Sequence, residues 1–407
     1  MKIKICRNCK NKSLSNLFSL GKISFTGKFS KSGNIKKAPL RLSICLDCDL
    51  IQLSDNFNLK YLYGPDYGYR TGINNTMTNH VKNIVTDLQK KISIKKNDAV
   101  LDIASNDGTL LNFYNKNVIK FGIDPILNKY YDQYSKINYK ISDFFSLKKI
   151  LNKFNKKFKV ITALSVFYDL KDPNKFLHEL DKIILEDGIV LIEFADLHSI
   201  LKYNMFDAIC HEHLAYYSSK IMISMCKNNN LKVIDIKKNY INGGSTQYYI
   251  AKKNSKYKVE NNKINKILNK ENKFLLNKKK TFIFFFQKIE KIKLKLLNII
   301  SNAKINNEKV HGYGASTKGN VLLQYFQLGK KEIDFIADRN PKKYGLLTPG
   351  SKIKIISEEK SRKIKPNYYI VLPWHFKEEI LKREIKTLNN GSEFIFPLPR
   401  LKIYKSH

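Results

Sequence analysis

The sequence contains no apolar run long enough to cross a membrane. Its longest apolar stretches, residues 281–286 (TFIFFF) and 188–194 (GIVLIEF), are much shorter than the roughly 18 to 20 residues that a transmembrane helix requires. The first ten residues, MKIKICRNCK, lack the apolar segment and cleavage site of a secretory signal. With 43% hydrophobic residues over 407 positions, the composition predicts a cytoplasmic protein of two or three domains with no membrane partner.

Acidic residues are also scarce. Asp and Glu total 35 against 74 Lys and Arg, which gives a formal charge of +39 and raises the question of nucleic-acid binding. The basic residues are mostly Lys and are spread along the chain among Asn and Ile, whereas a recognition arm is clustered and rich in Arg. We therefore expect no dedicated nucleic-acid partner, and a zinc-stabilised nucleic-acid-binding protein is kept as the alternative class. A positive surface would also attract a phosphate-bearing substrate.

Four of the six cysteines form two C-x2-C pairs. Cys6 and Cys9 form the first pair, and Cys45 and Cys48 form the second. Each such turn presents two thiolates to one ion, and four sulfurs satisfy a tetrahedral structural zinc without leaving a position for water. The alternative is two disulfides, which a reducing cytoplasm disfavours. The intervening residues 10–44 are predicted to hold a small β-rich segment.

The rest of the chain predicts two α/β domains. A helix is expected over 73–92, and from residue 98 strands alternate with helices, one of them near 126–135, which is typical of a parallel, doubly wound sheet. A long amphipathic helix follows, and then a second, smaller alternating pattern. The predicted domains are a zinc-binding domain with a connector at 1–72, a nucleotide-binding domain at 73–251, a helical segment at 252–309 and a Rossmann-like domain at 310–407.

Acidic residues end three predicted strands of the middle domain. Asp102 begins a turn of small residues that reaches Gly108, and Asp124 follows 22 residues after Asp102, a separation suited to grasping ribose hydroxyls. Asp143 ends a third strand, where it is placed to accept from an adenine amino group. Because this domain lacks G-x-G-x-x-G, NAD is disfavoured there. The alternative is that the acids merely cap their strands.

The segment His211, Glu212 and His213 allows three interpretations. Its spacing is not H-E-x-x-H, so a two-histidine metal site requires a third ligand that the sequence does not identify. Two buried histidines with a packing role are the second interpretation. A catalytic base is the third, because a neutral imidazole is suited to taking a proton at physiological pH.

The C-terminal domain begins with a second glycine-containing turn, GYGASTKGN at 312–320. Asn320 stands where a P-loop would need Lys, so ATP hydrolysis is not expected. A Rossmann-like turn with free amides would hold the pyrophosphate of a sugar nucleotide at a helix N-terminus, although the turn also permits NAD. Gly243 and Gly244 allow either a close backbone approach or a turn or bulge. The candidate substrate-binding residues are Gly243, Gly244, Gly314, Ser316, Thr317, Lys318, Asn320 and Asp338.

Taken together, these motifs resemble the three-domain C-methyltransferases that act on nucleotide-linked deoxysugars. The resemblance covers almost the whole chain and rests on the cysteine pairs and on IASNDGTLL (103–111), HEHLAYYS (211–218), NGGSTQYYI (242–250), GYGASTKGN (312–320) and ADRNPKKYG (337–345). It implies a class I methyltransferase sheet that binds S-adenosylmethionine and a dTDP- or GDP-linked keto-deoxysugar as substrate. O-methylation of a sugar on the same scaffold is the alternative activity. The implied cofactor-binding residues are Asp102, Ala104, Asn106, Gly108, Asp124 and Asp143.

The resemblance also implies catalytic roles. His213 is expected to abstract the proton, Glu212 to orient the sugar or the base, and Tyr67 or Tyr69 to donate a hydrogen bond to the enolate oxygen. The chain departs from the family pattern in several places. Asp102-Ile103-Ala104 replaces Glu-x-Gly, Cys210 stands where Tyr is common, Asp169 where some members carry a His, and His375 where Asn is usual.

Overall fold

The computed structural model describes residues 2–64 and 67–406. Its N-terminal sheet consists of β1 (Leu14–Ser24), β2 (Lys37–Cys45) and β3 (Ile51–Leu53), all antiparallel. These strands confirm the predicted β-rich segment, and helix α1 (Leu59–Leu62) follows them. A short strand from the middle of the chain, Ala215–Tyr216, pairs with β3 and becomes the fourth strand of this sheet. The histidine segment just before that strand is thereby attached to the N-terminal domain.

The middle domain is a seven-stranded, doubly wound sheet, as predicted. Its strands are β4 (Ala99–Ile103), β5 (Ile119–Ile123), β6 (Tyr139–Ile141), β7 (Phe158–Leu164), β8 (Ile184–Phe194), β10 (Leu231–Asn239) and β11 (Ser245–Lys252), with Ala215–Tyr216 numbered β9. The order is β10-β11-β8-β7-β4-β5-β6. Strands β4 to β8 are all parallel to one another, and β11 runs antiparallel to both β8 and β10.

The helices of this domain cover both faces of the sheet. They are α2 (Asn75–Lys91), α3 (Leu147–Lys153), α4 (Pro173–Ile183), α5 (Leu197–Lys202) and α6 (Ser219–Asn228). Helix α2 confirms the prediction for 73–92: Asn74 caps it by accepting from the Met77 amide, and Val81, Val85 and Leu88 form its buried stripe. The helix predicted near 126–135 is a 3-10 helix, Leu127–Tyr134, because Tyr130 has non-helical backbone angles.

The C-terminal domain is a six-stranded sheet preceded by two helices. Helix α7 (Asn261–Lys273) is followed by α8 (Lys279–Ile305), the predicted long amphipathic helix, whose apolar face is buried. The strands are β12 (Val310–Tyr313), β13 (Phe335–Asp338), β14 (Ile355–Ser357), β15 (Tyr368–Val371), β16 (Glu393–Phe396) and β17 (Lys402–Tyr404), ordered β14-β13-β12-β15-β16-β17. Only β17 is antiparallel. Helices α9 (Thr317–Tyr325), α10 (Glu358–Ile364), α11 (Lys377–Arg383) and α12 (Ile385–Asn389) complete it.

One continuous hydrophobic core joins the N-terminal sheet, helix α8, the segment 195–216 and the C-terminal domain. Between the N-terminal sheet and helix α8, the ring centroids of Phe18 and Phe286 lie 5.4 Å apart. Between the segment 195–216 and the C-terminal domain, Phe206 stacks on Phe326 with 5.2 Å between ring centroids. Because close-packed interfaces resist sliding, this core fixes the three domains against one another. In the described parts of the chain, no helix is long and apolar enough to cross a membrane.

Candidate active site

All three domains and the connector meet at Gly27, just beyond the end of β1. A Cβ atom at this position would lie 3.1 Å from Glu212 Oε1, 3.8 Å from Thr317 Oγ1 and 3.8 Å from Tyr67 Cδ2. The N-terminal domain, the connector, the middle domain and the first turn of α9 therefore contribute side chains to one place. The sequence contains no signal for Gly27, because only the packed domains bring its neighbours together.

His213 is held in one tautomer at this junction. Its Nδ1 lies 2.7 Å from the carbonyl oxygen of Ala208, and because a carbonyl can only accept, Nδ1 carries the proton and Nε2 keeps its lone pair. The ring packs on Tyr168 with 3.9 Å between ring centroids. Burial, together with the positive charge of Lys318, lowers the pKa of His213 to about 3. The imidazole is therefore neutral at physiological pH, with a free acceptor nitrogen.

His211 has a different environment. It is fully buried, its Nε2 donates to the carbonyl oxygen of Ala38 at 3.2 Å, and its ring lies 4.7 Å from Phe25 and 4.8 Å from Phe57, edge to face in both cases. Burial lowers the pKa of His211 to about 4. Of the two histidines, His211 thus has the packing role. The metal interpretation gains no support, because within the described residues the only cluster able to hold an ion is the four N-terminal cysteines.

Two buried carboxyl groups, Glu212 of the histidine segment and Asp169, belong to this site. Glu212 accepts from Thr26 Oγ1 at 3.5 Å, and Asp169 accepts from the Tyr63 hydroxyl at 2.6 Å. The second oxygen of each, Glu212 Oε1 and Asp169 Oδ1, has no hydrogen-bond partner among the described residues. Burial raises the pKa of both groups, and for Asp169 the charge of Glu212 adds to this rise. Because buried polar atoms are normally paired, the two free oxygens indicate a site for a polar ligand.

The two candidate tyrosines lie in different places. Tyr67 packs against Tyr63 with 5.0 Å between ring centroids, and burial, followed by the charges of Glu212 and Asp169, raises its pKa well above the usual range. Tyr69 is 40% exposed, and its carbonyl accepts from the Asn106 side chain at 3.3 Å. The structure therefore places Tyr67 with the carboxyl groups and Tyr69 over the predicted nucleotide turn.

The turn after β4 has the backbone form that the motif predicts. Ala104 has φ 60° and Gly108 has φ 74°, so Ala104 adopts a left-handed conformation that glycine would accept without strain. The buried Asp102 accepts from Thr162 Oγ1 at 2.6 Å, and burial raises the pKa of Asp102 to about 7. Asp124, at the end of β5, accepts from the amides of Asn106 at 2.9 Å and Ile126 at 2.8 Å. A carboxylate can accept about four hydrogen bonds, so Asp124 can accept two more from a ligand.

The connector is tied to this turn by two neighbouring side chains. Asn106 Oδ1 accepts from the Thr71 amide at 2.9 Å. Asp107, which is 1% exposed, accepts at 3.0 Å from both Arg70 Nε and the Gly72 amide. The side chain predicted to touch the cofactor, Asn106, thus holds the connector in place. Sequence reasoning missed the role of Asp107, although the residue lies inside the quoted motif.

Asp143 lies two residues beyond β6 and already has partners on both oxygens. Lys149 Nζ is 2.5 Å from Oδ2, and the Phe144 amide donates to Oδ1 at 2.7 Å. The Lys149 ammonium lowers the pKa of Asp143. Its predicted contact with an adenine amino group stays a prediction.

Three amides of the C-terminal turn already have partners within the protein, and the predicted pyrophosphate contact of this turn stays a prediction. The Gly314 amide donates to Ala337 O, the Ala315 amide to Asp338 Oδ2 at 2.7 Å, and the Gly319 amide to Ser316 Oγ at 3.0 Å. A Cβ at Gly314 would lie 2.6 Å from the Pro373 ring, so this glycine is required by the approach of a neighbouring loop. Asp338 is engaged with its own turn.

The other substrate candidates also contact protein. A Cβ at Gly243 would lie 2.6 Å from Trp374, and one at Gly244 would lie 2.9 Å from Ser199, which supports the close-approach interpretation of this pair. The Asn320 side chain donates to Thr26 O at 2.7 Å, where it joins α9 to the N-terminal domain. Lys318 turns away from its own loop and donates to Asn242 O at 3.0 Å.

The four N-terminal cysteines form a separate, closed cluster. Cys6 and Cys48 are 3.6 Å apart at their sulfurs, and Cys9 and Cys45 are 3.5 Å apart. All four sulfurs lie within 4.8 Å of one another. Zinc–sulfur bonds of about 2.3 Å in a tetrahedron place sulfurs about 3.8 Å apart, so these residues fit the predicted metal.

Comparison with known proteins covers nearly the whole chain. Residues 6–63 match a model of a zinc binding domain, residues 77–236 a methyltransferase domain, and residues 240–399 a C-methyltransferase C-terminal domain. The C-methyltransferase NovU of Streptomyces niveus is 26% identical over 406 residues, which are 98% of this chain and 96% of that protein.

Solved structures match less than half of the chain. An S-adenosylmethionine-dependent methyltransferase from Clostridium acetobutylicum is 11% identical, with 43% of this chain and 91% of that chain covered and a TM-score of 0.33. Magnesium protoporphyrin IX methyltransferase from Synechocystis is 12% identical, with 48% and 92% covered and a TM-score of 0.34. The three successive domain matches and the full-length relative make the chain similar to C-methyltransferases over nearly its whole length, and the chain is an S-adenosylmethionine-dependent methyltransferase.

Proposed function

We propose that this enzyme methylates a carbon atom of a nucleotide-linked keto-deoxysugar, with His213 as the general base. The observation that carries the proposal is the tautomer of His213, whose Nδ1–H is bound to Ala208 O. Nε2 is left as an acceptor, and Tyr67 and two carboxyl oxygens without partners among the described residues lie in or beside the histidine segment. S-adenosylmethionine supplies an electrophilic methyl group when bound, and its carbon acceptor must first lose a proton.

In this mechanism each residue has a separate role. His213 Nε2 takes the proton from the carbon beside the ketone, and Tyr67 donates a hydrogen bond to the oxygen on which charge develops. Glu212 and Asp169 have free oxygens that suit sugar hydroxyls. Thr317, at the start of α9, lies at Gly27 as Glu212 does, and it would contact the sugar or its phosphate. Asp102, Asp124 and the turn 104–108 would hold the methyl donor.

Isotope loss from the substrate tests this function. Substrates deuterated at the carbon next to the ketone, in a panel of dTDP- and GDP-linked keto-deoxysugars, are incubated with enzyme and S-adenosylmethionine. We expect the methylated product to lack the deuterium, because C-methylation breaks that C–D bond. Product that keeps the deuterium and carries the methyl group on oxygen would favour the O-methyltransferase alternative.

The affinity for S-adenosylhomocysteine is expected to depend on the ionisation of Asp124. Burial raises the pKa of Asp124 to about 6, so the carboxylate that accepts from ribose hydroxyls is lost as the pH falls through that value and present above it. Hydrogen bonds to charged groups contribute about 1.5–3 kcal/mol. We therefore expect Asp124→Asn to weaken binding by about 10- to 100-fold and to flatten its pH dependence.

Calorimetry between pH 5 and 8 checks this prediction. The exposed Asp132 of the same domain, changed to Asn, is the matched control and should bind like the wild type. Equal affinity of the Asp124→Asn variant at pH 8 would contradict the role.

We also propose that the cysteine cluster binds one structural zinc ion. Four sulfurs complete a tetrahedral shell, which leaves no position for water or substrate. The metal would therefore support folding and take no part in methyl transfer.

A further inference from the structure

The side chain of Lys318 leaves the C-terminal domain and ends at the middle domain. Lys318 is the second residue of α9, and its ammonium donates to Asn242 O at 3.0 Å. Among residues 2–64 and 67–406, this is the one hydrogen bond that the structure gives the ammonium, which has three N–H donors. The residue is half-buried, and burial lowers the pKa of Lys318. Donors remain for a ligand.

The groups that interact with Lys318 belong to the reaction site. Asn242, which accepts from the ammonium, precedes Gly243, where a Cβ would lie 2.6 Å from Trp374, and the positive charge of Lys318 interacts with Asp207, Cys210, His213 and His375. Asp207 is fully buried; its Oδ2 accepts from Trp374 Nε1 at 2.8 Å, and its Oδ1 has no partner among the described residues. The next residue, Ala208, holds His213. The adjacent residues Asp207 and Ala208 thus link the carboxylate that interacts with the Lys318 ammonium to the base, His213.

His213 is a weak base and needs this support. Burial, followed by the positive charge of Lys318, lowers its pKa to about 3, well below the ordinary imidazole value of about 6.5. A weak base can remove a proton only when the negative charge of the product is strongly stabilised. Tyr67 offers a neutral hydrogen bond, whereas Lys318 offers a partly desolvated cation, which interacts much more strongly with an oxyanion.

We propose that Lys318 is a catalytic residue whose ammonium binds the ketone oxygen and stabilises the enolate formed by His213. In this step the C–H bond breaks, the proton moves to His213 Nε2, and the electron pair becomes the enolate with its charge on oxygen. The inference rests on the proposed C-methylation. It moves Lys318 from the predicted pyrophosphate site to the reacting centre, because the Lys318 ammonium already contacts the middle domain at Asn242 O.

Proton exchange without methyl transfer isolates this step. The full-length enzyme with S-adenosylhomocysteine is incubated in D2O with the keto-deoxysugar nucleotide that it methylates, and exchange at the carbon beside the ketone is followed by NMR. We expect Lys318→Met to slow exchange about 100- to 1,000-fold, with the affinity for dTDP or GDP changed less than about twofold. Lys318→Arg, which keeps the charge, should recover part of the rate. Lys330→Met, at an exposed position, is the control for the lost charge.

A titration without substrate gives the second test. We expect NMR to show a higher pKa for the His213 imidazole in Lys318→Met, and no change in Lys330→Met, because only Lys318 places its charge near the base. An unchanged His213 titration would overturn the proposal, as would wild-type exchange rates in Lys318→Met. A loss of nucleotide affinity equal to the loss of exchange would assign Lys318 to the pyrophosphate instead. If the wild-type enzyme neither exchanges the proton of any keto-sugar nor methylates one, the proposed C-methylation is wrong. The titration would still report whether Lys318 lies near His213.

Discussion

Replacing His213 by Gln is expected to lower kcat for methyl transfer by about 100- to 10,000-fold, the usual contribution of a general base. Gln can donate to Ala208 O as the imidazole Nδ1 does, but its amide cannot accept a proton at physiological pH. The fold and the affinity for S-adenosylhomocysteine should therefore be retained. The measurement is a methyl-transfer assay on protein whose melting temperature and donor binding have been checked first.

His211 provides the matched control for this prediction. It is two residues away in the chain, but its ring is enclosed by Phe25 and Phe57. His211→Gln should lower the free energy of unfolding by about 1–3 kcal/mol and leave kcat of the folded enzyme within a few-fold of wild type. Full activity in a folded, donor-binding His213→Gln variant would contradict the mechanism.

Removing the metal from the cysteine cluster is expected to unfold the N-terminal domain. Structural zinc contributes an apparent 10–16 kcal/mol in small zinc domains, which equals or exceeds the 5–15 kcal/mol that stabilises an ordinary protein. Because β3 pairs with Ala215–Tyr216 and Thr26 contacts Glu212, loss of this domain should also abolish methyl transfer. Wild-type enzyme should contain one zinc ion per chain by elemental analysis.

Cys48→Ser tests this expectation against Cys226→Ser. Cys48 belongs to the cluster, whereas Cys226 is a buried thiol of the middle domain outside it. The first variant should lose zinc and show early unfolding, and the second should keep zinc with a smaller loss of stability. Zinc content that is unaffected by Cys48→Ser, or absent from the wild type, would exclude the proposed site.

Features that depend on neighbouring residues in the chain could be predicted from the sequence. Helix α2 has its cap and apolar stripe within one segment, and the middle strands alternate with helices, so their parallel sheet followed from the pattern. The cysteine pairs could likewise be assigned to one cluster because each C-x2-C turn brings two sulfurs together locally. The exception is the segment 127–134, where packing of a short, aromatic-rich stretch replaced the expected α-helix by a 3-10 helix.

Features that depend on partners far along the chain could not be predicted from the sequence. Glycine motifs predicted close backbone approaches, but only the structure shows that Gly314 admits Pro373 and Gly243 admits Trp374. The motif around Asn106 predicted a ligand turn, and the structure adds that Asn106 and Asp107 bind the connector. The sequence shows which side chains can form hydrogen bonds, but their partners are determined by the packing of elements that are remote in sequence.

The sequence alone determined the class of enzyme, the order of its domains and the set of residues with suitable chemistry. Tertiary structure decided which of them lie together: His213 bonds Ala208 O and His211 packs between aromatic rings, Tyr67 lies near the carboxyl groups, and Lys318 reaches the middle domain. The physical reason is that protonation state and basicity depend on burial and on nearby charges. Those surroundings come from three domains that meet only in the folded protein.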